Sequence, residues 1–298
     1  MDPGLDVFLP EPSRSVVAIP PPADGPGYWA GAPSSAFVNG QVYLAYRLRR
    51  PLGQGRGYAV AVGRSDDGEH FETILTLRKE DFGTDSLERP ALLCTPDGRW
   101  RLYLSCATAG TKHWRVELLE AGDPGAFDPR SRQVVLPGDT KTGVKDPVIR
   151  YRDGRWEAWA SCHPLADPGE TDQMVTDYAT SPDGIDWTWQ GTALAGRPGF
   201  WDARGTRVTS VTFADGRFVA SYDGRAAAAA NYEELTGIAT GTEPTALMAH
   251  GSAPLAVSPF RGAGLRYLDV LPLPGGRHRL YYEMTRADGA HDLRTEVR

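Results

Sequence analysis

One local pattern recurs five times along this chain and restricts what it can fold into. A turn of the form (Asp/Asn/Gly)-Gly-(Arg/Gln) leads into an alternating strand as NGQVYLAY at Asn39, DGRWRLYL at Asp97, DGRWEAWA at Asp153, DGRFVASY at Asp215 and GGRHRLYY at Gly275. The second glycines, Gly40, Gly98, Gly154, Gly216 and Gly276, are 58, 56, 62 and 60 residues apart, so five periods account for nearly all 298 residues. Asn-Gly and Asp-Gly supply the positive φ angles of tight hairpins. Each turn follows an apolar run: SSAFV, PALLC, PVIRY, RVTSV and YLDVL. A third run, YAVAVGR before Ser65 and MVTDYAT before Ser181, enters a second motif, Ser-x-Asp-Gly-x-x-aromatic, seen as SDDGEHF and SPDGIDW. Asp67 and Asp183 of that motif are read as turn residues that bind backbone amides. A unit of four short strands in about 60 residues has the size of a propeller blade. The fold class expected is all-β: a five-bladed β-propeller with four-stranded antiparallel blades.

The fifth unit ends at Arg298 after three strands, and an unpaired edge would be left open. The run SVVAI at residues 15–19 is expected to supply the missing strand and close the ring, with Pro20-Pro21-Pro22 as the strap. Residues 1–26 are thus read as strap and closing strand, and residues 27–298 as a single propeller domain. A helix-like insertion is expected over residues 226–235, with Glu233 and Glu234 solvated on it. The 34 glycines and 24 prolines agree with many turns and no long helix. A net charge of -6 gives no global attraction to nucleic acid or to an anionic membrane. No apolar run approaches the roughly 20 residues of a membrane helix. Three cysteines, Cys94, Cys106 and Cys162, share no CxxC spacing, and the start Met1-Asp2-Pro3-Gly4 lacks the regions of a signal peptide. A cytoplasmic monomer with reduced thiols is expected.

In such a ring the first strand of each unit lies innermost. Its start and the end of the second strand gather at one mouth of the channel, and the Asp-Gly hairpins lie at the other. Those mouth positions hold the carboxylates Glu88, Asp146, Asp202, Asp223 and Glu283 and the cations Arg89, Lys145, Arg204, Arg207 and Arg266. His163, Trp201 and Tyr267 belong to the same end. Two carboxylates across a bound sugar are the minimum for glycosidic cleavage, and crowded acids raise one another's pKa. Five cations point to an anionic group on the substrate or to phosphate as a co-substrate. His70, His113 and His250 lack metal-ligand spacing, so neither a metal nor another cofactor is expected.

The five repeats, the Lys145-Asp146-Pro147 opening of an inner strand and the Ser-x-Asp-Gly turn resemble the five-bladed propeller glycosidases of glycoside hydrolase families 32, 43, 62, 68 and 130, over residues 27–298. For family 43 the resemblance implies a base in blade 1, a pKa-tuning Asp in blade 3 and an acid Glu in blade 4. Asp146 matches the blade 3 position. The blade 1 position, eight residues before the hairpin glycine, is Ala32, and blade 4 offers Asp202 in WDARG. The cation-rich mouth is closer to the phosphorolytic family 130. The expected function is a glycoside hydrolase acting on a small sugar or glycoconjugate, with Asp146 tuning and with Asp202 and Glu88 as the acid and base pair, order unassigned. The remaining mouth residues would contact substrate. The alternatives are a carbohydrate- or anion-binding propeller without turnover, and a glycoside phosphorylase or biosynthetic enzyme on the same ring.

Overall fold

The computed structural model describes residues 3–298; Met1 and Asp2, where the reading of the leader began, lie outside them. Twenty strands, β1–β20, are found among the described residues. Blade 1 comprises β2 (Trp29–Val38), β3 (Gln41–Arg49), β4 (Gly57–Ser65) and β5 (Glu72–Arg78). Blade 2 comprises β6 (Leu87–Cys94), β7 (Trp100–Ala107), β8 (Trp114–Ala121) and β9 (Gln133–Leu136). Blade 3 comprises β10 (Thr142–Arg152), β11 (Arg155–Pro164), β12 (Val175–Ser181) and β13 (Thr188–Leu194). Blade 4 comprises β14 (Gly205–Ala214), β15 (Arg217–Arg225), β16 (Leu235–Gly241) and the short β17 (Met248–Ala249). Blade 5 comprises β18 (Leu265–Pro272), β19 (His278–Thr285) and β20 (His291–Val297), completed by β1 (Val16–Ile19).

The first strands β2, β6, β10, β14 and β18 abut one another in chain order, and β18 returns to β2. The protein is therefore a closed five-bladed propeller. The closing strand pairs antiparallel with β20, Val16 opposite Thr295. Leu5, Phe8 and Leu9 just before it are buried in the core between blades 4 and 5. The apolar faces of the sheets meet in five clusters, one at each blade interface.

Hairpin chemistry explains the repeat, with one variation. In blades 1, 3 and 4 both turn residues have positive φ, as at Asn39 (53°) and Gly40 (83°), the geometry that matches strand twist. Blades 2 and 5 add Pro96 and Pro274 to the turn; Gly275 and Gly276 of blade 5 still both have positive φ (79° and 75°), whereas in blade 2 only Gly98 does. Their loops are wider, closing at Cys94–Trp100 and Pro272–His278.

The Ser-x-Asp-Gly motif clamps neighbouring blades. Asp67 Oδ1 accepts the amides of Glu69 and His70, and Asp183 Oδ1 those of Ile185 and Asp186. The folded turn then offers its glycine carbonyl to the preceding blade: Tyr281 donates to Gly68 O and Tyr103 to Gly184 O, each at 2.8 Å. Both glycines stand at positive φ, 75° and 76°, and a Cβ on Gly184 would also lie 2.8 Å from the Tyr103 hydroxyl and 2.9 Å from the Trp156 ring, so glycine is favoured at both turns.

The helix expected over residues 226–235 is absent; only a single 3-10 turn, Ala228–Ala230, forms there. Ten residues are too few to offset helix nucleation without a packed face. Asn231 instead binds Arg225, and Tyr232 turns the chain at φ 79°. Glu234, expected in solvent, is buried between Arg225 and Arg266.

Candidate functional site

The first strands bulge where they pass the mouth. Register shifts fall between Gly31 and Ser34, Leu87 and Pro90, Lys145 and Val148, and Arg266 and Asp269. A bulge re-aims the side chains that it carries. Ala32, Asp146 and Tyr267 occupy equivalent bulge positions with φ of 52°, 52° and 53°. The blade 1 backbone thus keeps the strained conformation of Asp146, while its side chain there is a methyl group. Gly31 beside it is required by packing, because a Cβ would lie 2.0 Å from Glu283 Oε2.

Above these bulges is a cavity of about 140 Å³ lined by residues of all five blades and by the loops joining second to third strands. Three carboxylates face it: Glu88, Asp172 and Glu234. Eight cationic side chains surround them: Arg47, Arg49, Arg56 and Lys112 from blades 1 and 2, then Lys145, Arg207, Arg225 and Arg266. Trp114, His163, Tyr232 and Tyr267 complete the walls.

The floor is an alternating chain of buried charges. Arg47 bridges Glu88 and Glu283. Arg266 joins Glu283 (2.7 Å) to Glu234, and Arg225 pairs with the other oxygen of Glu234 at 2.6 Å. Arg207 pairs with Asp223 at 2.6 Å and Asp146 at 3.2 Å, its guanidinium 3.8 Å from the centre of the Tyr267 ring. Burial alone would raise these carboxyls, but Arg47, Arg49 and Lys145 reverse this for Glu88, and Arg266, Arg207 and Arg225 do so for Glu234. Both are held well below the usual carboxylate range. Asp223 differs: burial pushes it up to about 6 against the pull of Arg207.

Asp146 lies beneath the pocket, fully buried, and its carboxylate accepts from the Arg89 amide, Arg207 and the Tyr267 hydroxyl. Burial raises it and Lys145, at 3.5 Å, and Arg207 lower it further, so the net direction is down. His163 lines the wall. Its Nδ1 sits 2.9 Å from the Thr171 carbonyl, which can only accept, so Nδ1 carries the proton and Nε2 is left to accept from Ser161. Burial, then Lys145, pushes its pKa down to about 3, so the ring is neutral at pH 7.

Of the residues expected at the mouth, Glu88, Lys145, His163, Arg207, Arg266 and Tyr267 line the cavity, and Asp146, Asp223 and Glu283 form the layer beneath through their ion pairs. Four do not join them. Asp202 is buried away from the cavity, its carboxylate bound by Arg197 and by the Tyr222 hydroxyl at 2.8 Å, which corrects its reading as an acid or base. Trp201 stacks on Tyr222 and packs into the core between blades 3 and 4. Arg204 is turned to Glu170 and Asp172. Arg89 fills the channel below the floor, donating to the carbonyls of Pro33, Pro147 and Thr209, so it ties blades together.

The residues missed at the sequence level are Arg49, Arg56, Lys112, Trp114, Asp172, Arg225, Tyr232 and Glu234. Most lie on connections from second to third strands. Those connections leave from the same end as the mouth, so the topology itself was the signal that they would overhang it. Among the described residues no group of three or more His, Cys, Asp or Glu is arranged to hold a metal ion.

No protein-family model matches this chain, and no curated protein does. Solved structures match along nearly its whole length. A thermostable family-43 glycoside hydrolase is 15% identical, covers 90% of this chain and 88% of its own, and superposes with a TM-score of 0.69. A β-1,2-mannobiose phosphorylase from Listeria innocua, solved with β-1,2-mannobiose, is 15% identical with 96% of both chains covered and a TM-score of 0.67. An α-L-arabinofuranosidase from Lactobacillus brevis is 16% identical, with 90% of both chains covered and a TM-score of 0.65. At this identity the likeness is one of fold, and the fold of this chain is the five-bladed propeller of these glycosidases and phosphorylases.

Proposed function

We propose that the mouth pocket cleaves a glycosidic bond in a small sugar or glycoconjugate. The observation that carries this reading is the convergence of carboxylates from three blades, Glu88, Asp172 and Glu234, on one cavity. Cleavage needs a proton for the leaving oxygen and an attack on the anomeric carbon. Glu88 is the candidate for the carboxylate that meets the anomeric carbon or the attacking group, because Arg47, Arg49 and Lys145 keep it ionised and Arg47 holds it in place. Asp146 acts from beneath by holding Lys145 and Arg207, as its match to the blade 3 position of the propeller glycosidases implies. Asp202 has no part in this scheme.

Phosphate as the attacking group is favoured by Ala32, which leaves no blade 1 carboxylate to activate water, whereas phosphate arrives charged. Sugar binding without turnover is favoured by the ion pairing of Glu88 and Glu234. A panel of aryl glycosides assayed with and without phosphate separates these outcomes. Release of free sugar independent of phosphate supports hydrolysis, and a sugar 1-phosphate made only with phosphate supports phosphorolysis. Saturable binding with no product from any glycoside overturns the catalytic reading.

A further inference from the structure

The cations of the pocket fall into two groups with different electrostatic status. On blades 4 and 5, Arg207, Arg225 and Arg266 each meet a carboxylate at 2.7 Å or less, so that wall is neutralised. The wall made by blades 1 to 3 is not. Among the described residues Arg56 and Lys112 form no ion pair, Lys145 has Asp146 only at 3.5 Å, and Arg49 reaches Glu88 only at 3.7 Å. Glu88 is already held by Arg47. Two carboxylates, Glu88 and Asp146, each already held by an arginine of the floor, therefore face four cations.

Three further observations show that this wall is built. Arg49 is 4% exposed, and its Nε is buried without a hydrogen-bond partner. Arg56 is held at φ 47°, a left-handed conformation that is strained for an arginine and recurs at ligand-binding positions. The Trp114 ring serves both Arg56, at 5.6 Å, and Lys145, at 4.7 Å, fixing their separation. Gly143 on β10 lets that ring's strand approach, since a Cβ there would lie 3.0 Å from the Trp114 amide.

We propose that this wall is an oxyanion seat for a phosphoryl or carboxylate group carried by the sugar itself. The inference rests on the reading of the pocket as a sugar site and adds the substrate class: a charged sugar, with its anion between Arg56, Lys112 and Lys145 and with Arg49 behind. Guanidinium forks match the geometry of both oxyanions, and Lys112 at the exposed rim supplies the mobile point charge that first meets the ligand. The neutralised wall opposite is left for the uncharged hydroxyls.

Calorimetric titration at low salt tests this without requiring turnover. The ligands are a set of hexose 6-phosphates and hexuronates, the matching neutral hexoses, and inorganic phosphate. The proteins are the wild type, an Arg56→Ala/Lys112→Ala variant, and an Arg64→Ala/Arg130→Ala variant that removes the same charge from the outer surface. At least one charged sugar is expected to bind tenfold or more tighter than its neutral counterpart, to lose at least tenfold in the pocket variant, and to be unaffected in the surface variant. Equal binding of charged and neutral sugars, equal binding by the two variants, or no charged sugar binding below about 1 mM overturns the proposal. Inorganic phosphate as tight as the best charged sugar assigns the wall to the free anion and overturns the sugar-borne assignment. A seat that binds in a protein with no glycosidase activity leaves this inference standing and removes the catalytic one; turnover of neutral glycosides without anion binding does the reverse.

Discussion

Asp146 and His163 show how single side chains carry both structure and site. Asp146 is a buried anion that accepts from three blades besides its own and fixes Lys145 and Arg207 above it. Asp146→Asn removes one of the carboxylates of Arg207, leaving Asp223 and the more distant Glu234, and turns an amide donor toward one of the donors that Asp146 accepts from, so a loss of about 3 kcal/mol in stability is expected along with lower activity. Denaturant unfolding of the variant checks this, and unchanged stability would remove the structural half of the assignment. His163 gives a pH signature. Its folded pKa, about 3, lies below the ordinary 6.5, so it contributes stability that is complete above pH 6.5 and is lost as the pH falls from there toward 3. The slope is at most about 1.4 kcal/mol per pH unit. His163→Gln should flatten the fall in Tm between pH 6.5 and 5 relative to wild type; parallel curves would show that His163 is protonated at no cost.

At the scale of elements, ring closure rests on the N-terminal segment. Besides the pairing of β1 with β20, Glu11 accepts an ion pair from Arg298 at 2.7 Å, Ser15 accepts from Arg294, and Leu5, Phe8 and Leu9 are buried. Each buried apolar side chain contributes about 1.5–3 kcal/mol. Deletion of residues 1–20 should therefore lower Tm by more than 10 °C, on the scale of roughly 2–4 °C per kcal/mol for a chain of this size. A Tm within 2 °C of wild type would show that the ring holds without this strand. The blades and their closure were legible in the sequence because hairpin glycines and alternating strands act locally. The connections that line the cavity were not. Arg56, Lys112 and Glu234 reach the pocket through the paths of loops, and the Ala-rich stretch before Glu234 mimics a helix until packing against Arg225 and Arg266 draws its carboxylate inward. Asp202 misled for the converse reason: its place near a strand start is right, but Arg197 and Tyr222, remote from it in the motif, claim its carboxylate.

For the whole molecule, the propeller brings charges from five blades to one point at which none could be stable alone. Glu88, Glu234 and Glu283 are all depressed by their arginines, so they contribute stability that is present above their ordinary pKa of 4.5 and is lost as the pH falls below it. The wild type should accordingly show a steep drop in Tm below pH 4.5, and Glu283→Gln a shallower one from a lower starting point; an equally steep acid limb in that variant would exclude Glu283 as a linker of the chain. The same convergence is the ground for proposing glycosidic cleavage at the mouth, and Glu88 tests that proposal most directly because it lines the cavity and holds the arginines of blade 1. The decisive measurement is kcat/KM of wild type and Glu88→Gln on the best glycoside from the panel, with circular dichroism to match their folds. A loss of at least about a hundredfold in a folded Glu88→Gln protein is the predicted result; activity within a fewfold of wild type in that protein would contradict the assignment of glycosidic cleavage to this pocket.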